Sequence, residues 1–336
     1  MKCNYIIIII FKVLWSLIRE GLVMEKKMEV AVLMATYNGE GYLKEQLDSL
    51  LGQSYQNFVI YIHDDGSTDK TREICMEYCQ KYPNKIVMLD YPSTGGAKTN
   101  FFSFLEYVTA DYYFFCDQDD VWLPDKILLT LNKAKNVSQN KNGVLVFTDL
   151  KVVDKEKNVI FESFFEYTHV KPNKIDYKYV LVSGFIPGCV MMIDHTLLQY
   201  VKSYKNVKNL KMHDWWILEV AYMCESTILF VNRSLMLYRQ HGNNTIGIND
   251  KNILKRIQYN LNQLISGELS LEKKTFKQSP RVQASELQFL KQANSERLAF
   301  AKEFSEIGEY NKLKRIVFYL KNFHHVYRLW WIVLWC

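Results

Sequence analysis

The chain alternates short, unbroken apolar runs with segments whose apolar residues recur at helical spacing. Val30-Ala31-Val32-Leu33-Met34, Phe58-Val59-Ile60-Tyr61-Ile62, Ile86-Val87-Met88-Leu89, Tyr112-Tyr113-Phe114-Phe115-Cys116 and Val144-Leu145-Val146-Phe147 are runs of the first kind. Each has strand length, and none shows the apolar-polar alternation of a strand with one wet face. Between the first two, Leu43, Leu47, Leu50 and Leu51 fall at i, i+4, i+7 and i+8, one face of a helix. Further helices are predicted from a Ser67 or Thr68 cap to about Tyr82, from Thr99 to Val108, and after Pro124. Strands buried on both faces, alternating with amphipathic helices, predict an α/β fold: a Rossmann-like, mostly parallel sheet covered by helices on both faces. Residues 250–320 read as two or three helices, a C-terminal extension.

In a sheet of this kind, ligands sit at the carboxyl ends of the strands. The first run ends in Ala35-Thr36-Tyr37-Asn38, the second in Asp64-Asp65, and the fourth in Asp117-Gln118-Asp119-Asp120. A single acidic strand end is a solvated turn. Two on one edge, one with three carboxylates in four residues, repel each other unless a cation or a donor-rich ligand lies between them. Carboxylates around an open site suit Mg²⁺ or Mn²⁺, which complete their shells with phosphate oxygens and water.

Composition narrows the class. With 49% hydrophobic residues, only 14 Gly and 6 Pro in 336 residues, the chain has core material enough to exclude disorder, collagen and a disulfide scaffold. Seven cysteines, close only at Cys75 and Cys79, predict a reducing compartment, and those two read as one helical face rather than a metal site. The net charge of +6 is unevenly placed. Residues 251–336 hold 15 Lys and Arg against 7 Asp and Glu, whereas the first 250 hold 27 against 29. A near-neutral body with a basic, aromatic tail is not a nucleic-acid footprint and fits an anionic lipid surface.

At the N-terminus, Tyr5-Ile6-Ile7-Ile8-Ile9-Ile10-Phe11 and its flanks are too short to span a bilayer and lack a small-residue cleavage site. Residues 1–28 therefore read as an extension, either an interfacial segment or not native. The second reading has translation starting at Met24 or Met28, because Arg19-Glu20-Gly21 is encodable by a purine-rich, ribosome-binding stretch two codons before Met24. At the other end, Tyr327, Trp330, Trp331 and Trp335 among Ile, Val and Leu, with Lys321 and Arg328 interspersed, predict a membrane-facing end. A terminal helix packed on the body is the alternative.

Taken in order, Ala35-Thr36-Tyr37-Asn38, Asp64-Asp65-Gly66-Ser67-Thr68-Asp69 and Asp117-Gln118-Asp119-Asp120-Val121-Trp122-Leu123-Pro124-Asp125 resemble the family-2 inverting glycosyltransferases. The resemblance covers roughly residues 29–245 and is nearest the rhamnosyltransferase-like enzymes of bacterial surface polysaccharide synthesis. It implies the glycosyltransferase A-type fold, with 29–245 the catalytic domain and 246–336 a helical C-terminal region.

The resemblance also implies roles. Ala35 and the ring of Tyr37 would hold a pyrimidine base, and Asp65 would accept from its N3–H. Asp119 would lie near the ribose, Asp120 would ligate the metal bridging the diphosphate, and Asp117 would assist. Lys98, in Gly95-Gly96-Ala97-Lys98-Thr99-Asn100, would face the nucleotide. Pro187-Gly188-Cys189 resembles the loop bordering the sugar. In Met212-His213-Asp214-Trp215-Trp216, Asp214 matches the general base, while His213 stands where the family commonly carries Glu. His241 matches a histidine that reaches the metal or diphosphate. The Trp215-Trp216 pair either stacks on an acceptor sugar or fills the core. The Gln-x-x-Arg-Trp signature of processive enzymes is absent from the sequence, which favours single-sugar addition.

The expectation is a metal-dependent inverting transfer of one sugar, of the rhamnose, galactose or glucose class, from a UDP- or dTDP-sugar. The acceptor would be a saccharide, lipid-linked, at the inner face of the plasma membrane. Two rivals remain at this point. Asp117-Gln118-Asp119-Asp120-Val121 satisfies the pattern of an aspartate-nucleophile phosphatase, although at least three strands precede it. The other rival is a non-catalytic membrane-peripheral assembly protein with a degenerate transferase domain.

Overall fold

The computed structural model describes residues 28–135, 137, 141–182, 184, 186–241 and 280–323. The N-terminal segment with Met24, the predicted helix around Ile253–Leu264, Asn243-Asn244 and the Tyr327–Trp335 end lie outside the described residues.

The apolar runs become the strands β1 (Val30–Thr36), β2 (Val59–Asp64), β3 (Ile86–Met88) and β4 (Tyr112–Cys116). Between them lie the helices α1 (Leu43–Leu51), α2 (Thr71–Lys81) and α3 (Ala97–Tyr107). These four strands pair in parallel, in the order β3-β2-β1-β4, with β1 and β4 buried nearly throughout and β3 at the edge exposing Val87. A two-residue strand β5 (Val121–Trp122) and the helix α4 (Lys126–Lys135) follow the acidic loop.

Beyond β4 the sheet is mixed. Strand β8 (Met191–Asp194) runs antiparallel between β4 and the ten-residue β6 (Val144–Val153), and β9 (Thr227–Arg239) pairs with β6 in parallel. A short β7 (Val159–Phe161) folds back on β6, and β5 pairs with the far end of β9. The parallel pattern read from the sequence thus holds for the first half, and β8 marks where it changes. Two short helices, α5 (Phe164–Thr168) and α6 (Tyr177–Val182), follow β7, and α7 (His195–Lys202) follows β8.

The helix α8 (His213–Met223) is buried almost all round, including Trp216, Ile217, Leu218, Val220 and Ala221. The sheet covers one side. A helical segment over 280–286, with α9 (Ser295–Glu306) and α10 (Lys312–Phe323), adds Ala284, Leu287, Phe304 and Phe323 to the same hydrophobic core. The Asn294 N–H donates to the last turn of α8 at Met223 (2.8 Å), and the Phe300 ring packs edge-on to Tyr177 of α6. Residues 280–323 therefore share one core with the body rather than forming a second one.

Two local expectations change. Neither Ser67 nor Thr68 caps α2: Ser67 donates to Asp64, and the Thr68 N–H donates to Asn38. The Asp69 carboxylate accepts from the Thr71 N–H instead, at 2.9 Å. Cys75 and Cys79 lie on α2 as free thiols, Cys75 fully buried, as a helical face rather than a metal site requires.

Candidate active site

The carboxyl ends of β1, β2 and β4, the loop before β8 and the start of α8 enclose a cavity of about 740 Å³. Ala35, Tyr37, Asp65, Asp117, Asp119 and Asp214 all line it, although 179 positions separate the first from the last. The sheet's topology brings them together, since parallel strands deliver all their carboxyl ends to one edge.

On the β1–β2 side, the Tyr37 ring is 55% exposed and so keeps a face for a ligand. Asp65 is held by the loop after β3. Its Oδ1 accepts from the Ser93 and Thr94 hydroxyls and from the Thr94 and Gly95 N–H groups; its Oδ2 accepts from Gly96 N–H. Gly95 and Gly96 have φ of 83° and 136°, the region glycine tolerates, and this turns their N–H groups inward. Burial pushes the Asp65 pKa up, but these donors outweigh it and hold the carboxyl below its ordinary 3.8. Oδ2, with one donor, retains an accepting lone pair beside the cavity.

Lys98 departs from expectation. Its Nζ donates to the Lys208 and Leu210 carbonyls, at 3.2 and 2.7 Å, and does not line the cavity. The first turn of α3 presents Ala97, Asn100 and Phe101 to the cavity, so helical periodicity turns Lys98 away toward the 207–210 loop. It ties two loops together rather than facing a phosphate.

The acidic loop divides by side. Asp117 and Asp119 line the cavity, whereas Asp120 is fully buried behind it. Asp120 Oδ1 accepts from the Arg239 N–H at 3.1 Å, and its Oδ2 has no hydrogen-bond partner. Burial, then the charges of Asp119 and Asp214, push the Asp117 pKa up to about 7, and burial drives Asp120 far above its usual value. Buried, mutually repelling carboxylates with an unsatisfied oxygen fit a cation.

Asp117, Asp120 and Cys189 bring their ligand atoms within 4.8 Å of one another, but burial raises the Cys189 thiol far above its usual pKa. A protonated thiol is a poor ligand for Mg²⁺ or Mn²⁺. The carboxylates of Asp117 and Asp120 are therefore the part of that group suited to the ion, with Asp119 beside them on the cavity side. His241 reaches the same loop: its Nε2 lies 2.8 Å from Asp119 Oδ2, and its ring stacks on Tyr42.

On the α8 side, Asp214 is within the first turn, after Met212 as N-cap, so it is not itself the cap. Its Oδ2 accepts from the Gly188 N–H at 3.1 Å, and Oδ1 from its neighbour Trp215. The Trp pair is core. Trp216 is fully buried, and Trp215, 6% exposed, donates its indole N–H to the Val180 carbonyl. The acceptor-stacking reading of Trp215 and Trp216 is corrected, because neither offers a ring face.

Three contributors carry little sequence signal. Gln118 pairs its side-chain amide with both backbone groups of Tyr37, at 2.9 and 2.8 Å. A Cβ at Gly39 would come within 2.2 Å of that amide, so glycine there makes room for it. Arg239, buried, donates from Nε to the Asp119 carbonyl and pairs with Glu45. Lys126, fully buried over the Trp122 ring, has its pKa pushed down to about 8 by burial. Only Gln118, between two motif aspartates, was open to inspection as part of a motif.

The glycosyl transferase family 2 model matches residues 31–198. The dTDP-rhamnosyl transferase RfbG of Shigella flexneri is 36% identical over 233 residues, 64% of this chain and 74% of that one. An uncharacterized glycosyltransferase of Rickettsia typhi is 26% identical over 63% of this chain and 64% of its own length. The UDP-Glc:alpha-D-GlcNAc-diphosphoundecaprenol beta-1,3-glucosyltransferase WfgD of Escherichia coli is 25% identical over 71% of this chain and 93% of its own. Among solved structures, S. aureus TarS 1–349 in complex with UDP-GlcNAc superposes with a TM-score of 0.54 at 17% identity. That superposition covers 92% of this chain and 78% of that one, a likeness of fold.

Proposed function

The chain belongs to glycosyl transferase family 2 and is a glycosyltransferase, and from that premise we propose that it transfers a single sugar, with inversion, from a dTDP- or UDP-sugar to a saccharide acceptor. The donor is of the rhamnose, galactose or glucose class, and the product is a bacterial surface polysaccharide. The phosphatase reading of the acidic loop is set aside by this membership. The observation that carries the proposal is the shared cavity: base-binding groups, an acidic loop and a facing carboxylate on one enclosed volume.

In this reading, Tyr37 and Ala35 hold the base, and Asp65 Oδ2 accepts from its N3–H. Asp117 and Asp120 are the residues that would hold Mg²⁺ or Mn²⁺, with Asp119 beside them on the cavity side, kept in position by His241 and Arg239. The cation, when bound, supplies positive charge against the diphosphate. Asp214 takes the proton of an acceptor hydroxyl as that oxygen attacks the anomeric carbon. The bond from that carbon to the diphosphate oxygen breaks on the opposite side, and its electron pair leaves with the nucleotide. Similarity to RfbG favours a dTDP-linked deoxysugar, and similarity to WfgD supports a lipid-linked acceptor.

We place the enzyme at the inner membrane surface on the basis of α10. Leu313, Val317 and Leu320, at i, i+4 and i+7, are exposed beside Lys312, Lys314 and Lys321. An apolar stripe flanked by lysines suits an anionic lipid surface. Among the described residues, no helix is long and apolar enough to cross a membrane.

A donor panel of dTDP-rhamnose, UDP-galactose and UDP-glucose, read by acceptor-dependent nucleotide release with Mn²⁺ or with chelator, tests the reaction. Release from one donor that chelator abolishes is expected; no binding of any of them with either metal would sink the proposal.

A further inference from the structure

Two residues at the start of α1 reach the acidic loop through the end of β9. The Tyr42 ring, at the N-cap position, stacks on His241 with centroids 4.7 Å apart, and the Arg239 guanidinium carbon lies 5.0 Å from the same ring. Glu45, in the first turn of α1, pairs with Arg239 Nη2 and with Lys157 of the β6–β7 turn. The Arg239 side chain is 4% exposed, so its N–H groups need acceptors inside the protein. Nε donates to the Asp119 carbonyl at 3.0 Å, Nη1 to the Lys155 carbonyl at 2.9 Å, and Nη2 to Glu45. The Arg239 backbone N–H donates to Asp120 Oδ1, and His241 Nε2 lies 2.8 Å from Asp119 Oδ2. Residues 239 and 241 thus touch both carboxylates, yet neither lines the cavity.

We propose that the start of α1 is the seat of the acidic loop: Tyr42 positions His241, Glu45 positions Arg239, and through them Asp119 and Asp120 are held ready for the cation. The assignment rests on the metal reading of that loop given above. Carboxylates crowded on one loop repel, and the loop opens unless something holds it from the side the ion does not use. Arg239 does this from behind the loop, and Glu45 keeps the guanidinium from turning away. Tyr42 covers both partners with one ring, a large contact that costs little side-chain entropy. Lys157 anchors the other side of Glu45 from a backbone with φ of 69°, a left-handed conformation uncommon for lysine. Tyr42 and Glu45 touch neither the cavity nor the carboxylates of the loop, so they are positioning residues rather than ligands.

Electron paramagnetic resonance of Mn²⁺ bound in the presence of dTDP or UDP tests this, on the full chain and on Tyr42→Leu, Tyr42→Phe, His241→Ala and the double variant Tyr42→Leu/His241→Ala. Tyr42→Leu is expected to weaken Mn²⁺ about fivefold and to change the line shape of the bound ion as His241→Ala does. Tyr42→Phe should match the wild type, because the ring and not the hydroxyl makes the stack. The double variant should be no weaker than the weaker single one. Losses that multiply in the double variant overturn the assignment, as does a Tyr42→Leu line shape identical to the wild type. Glu45→Gln removes a charge and no packing, and should weaken Mn²⁺ about threefold; it decides the matter if melting curves show Tyr42→Leu unfolded, and unchanged affinity there overturns the assignment. A wild type that holds no Mn²⁺ with either nucleotide overturns the metal reading itself, and the assignment with it.

Discussion

On the β2 side of the cavity, Asp65 collects donors from four consecutive residues, and across the loops after β1 and β2 Asn38 bonds Ser67 and Thr68 while the Glu40 N–H donates to Asp69. On the α8 side, His213 has two unmatched nitrogens, inside a helix buried nearly all round. The first wall satisfies itself, so its shape is fixed before a ligand arrives. The second leaves hydrogen-bonding capacity in reserve, at a cost in stability. A fixed, self-satisfied wall suits recognition of an unvarying part of a ligand, and a wall with unmatched groups suits chemistry.

The largest test of this contrast is Asp214→Asn, on the reserved wall. Removing a general base is expected to lower kcat by about 10²–10⁴ while nucleotide affinity stays level. Equal losses in both would mean that the two walls do not divide the work.

Asp65→Asn probes the self-satisfied wall. An amide cannot accept from donors on both sides, so stability at pH 7 should fall by about 1–3 kcal/mol. Because the native carboxyl is held below 3.8, its contribution is present above that value and is lost as pH falls through the native pKa. The gap between variant and wild type in denaturant unfolding should therefore narrow in acid, and a constant gap would contradict the assignment.

Glu219→Gln should act in the opposite direction. Burial holds this carboxyl far above 4.5, so the native state keeps a proton that the unfolded state releases, and stability drops as pH rises above 4.5. The variant should melt about 2 °C higher at neutral pH and no higher below pH 4. The smallest effect is expected from Lys98→Met, which should leave nucleotide affinity within about twofold.

The contrast also explains how much was legible. Ala35, Tyr37, Asp65, Asp117, Asp119 and Asp214 were readable because strand ends and a helix start announce themselves in one dimension, and all six line the cavity. Asp119 lines the cavity and Asp120 lies buried behind it because adjacent residues in a turn face opposite ways, and the sequence does not state which faces inward. Lys98 donates to carbonyls 110 and 112 positions away, partners no local pattern encodes. The Trp pair was ambiguous because its burial comes from other segments, Val180 at Trp215 and Val201 and Tyr204 at Trp216, contacts no local pattern encodes. The parallel half was legible from continuous apolar runs, and the insertion of β8 antiparallel to β4 was not.

The pairing of Gln118 with the Tyr37 backbone has a consequence for how such an enzyme can drift. The amide occupies space that only a residue without a side chain leaves open at Gly39. A larger residue at 39 pushes the end of the Gln118 side chain aside, and the turn after β1 then loses its tether to the acidic loop 81 positions downstream. The two positions thus act as one part: what a substitution at Gly39 costs is set by where the Gln118 amide can move, not by either loop alone.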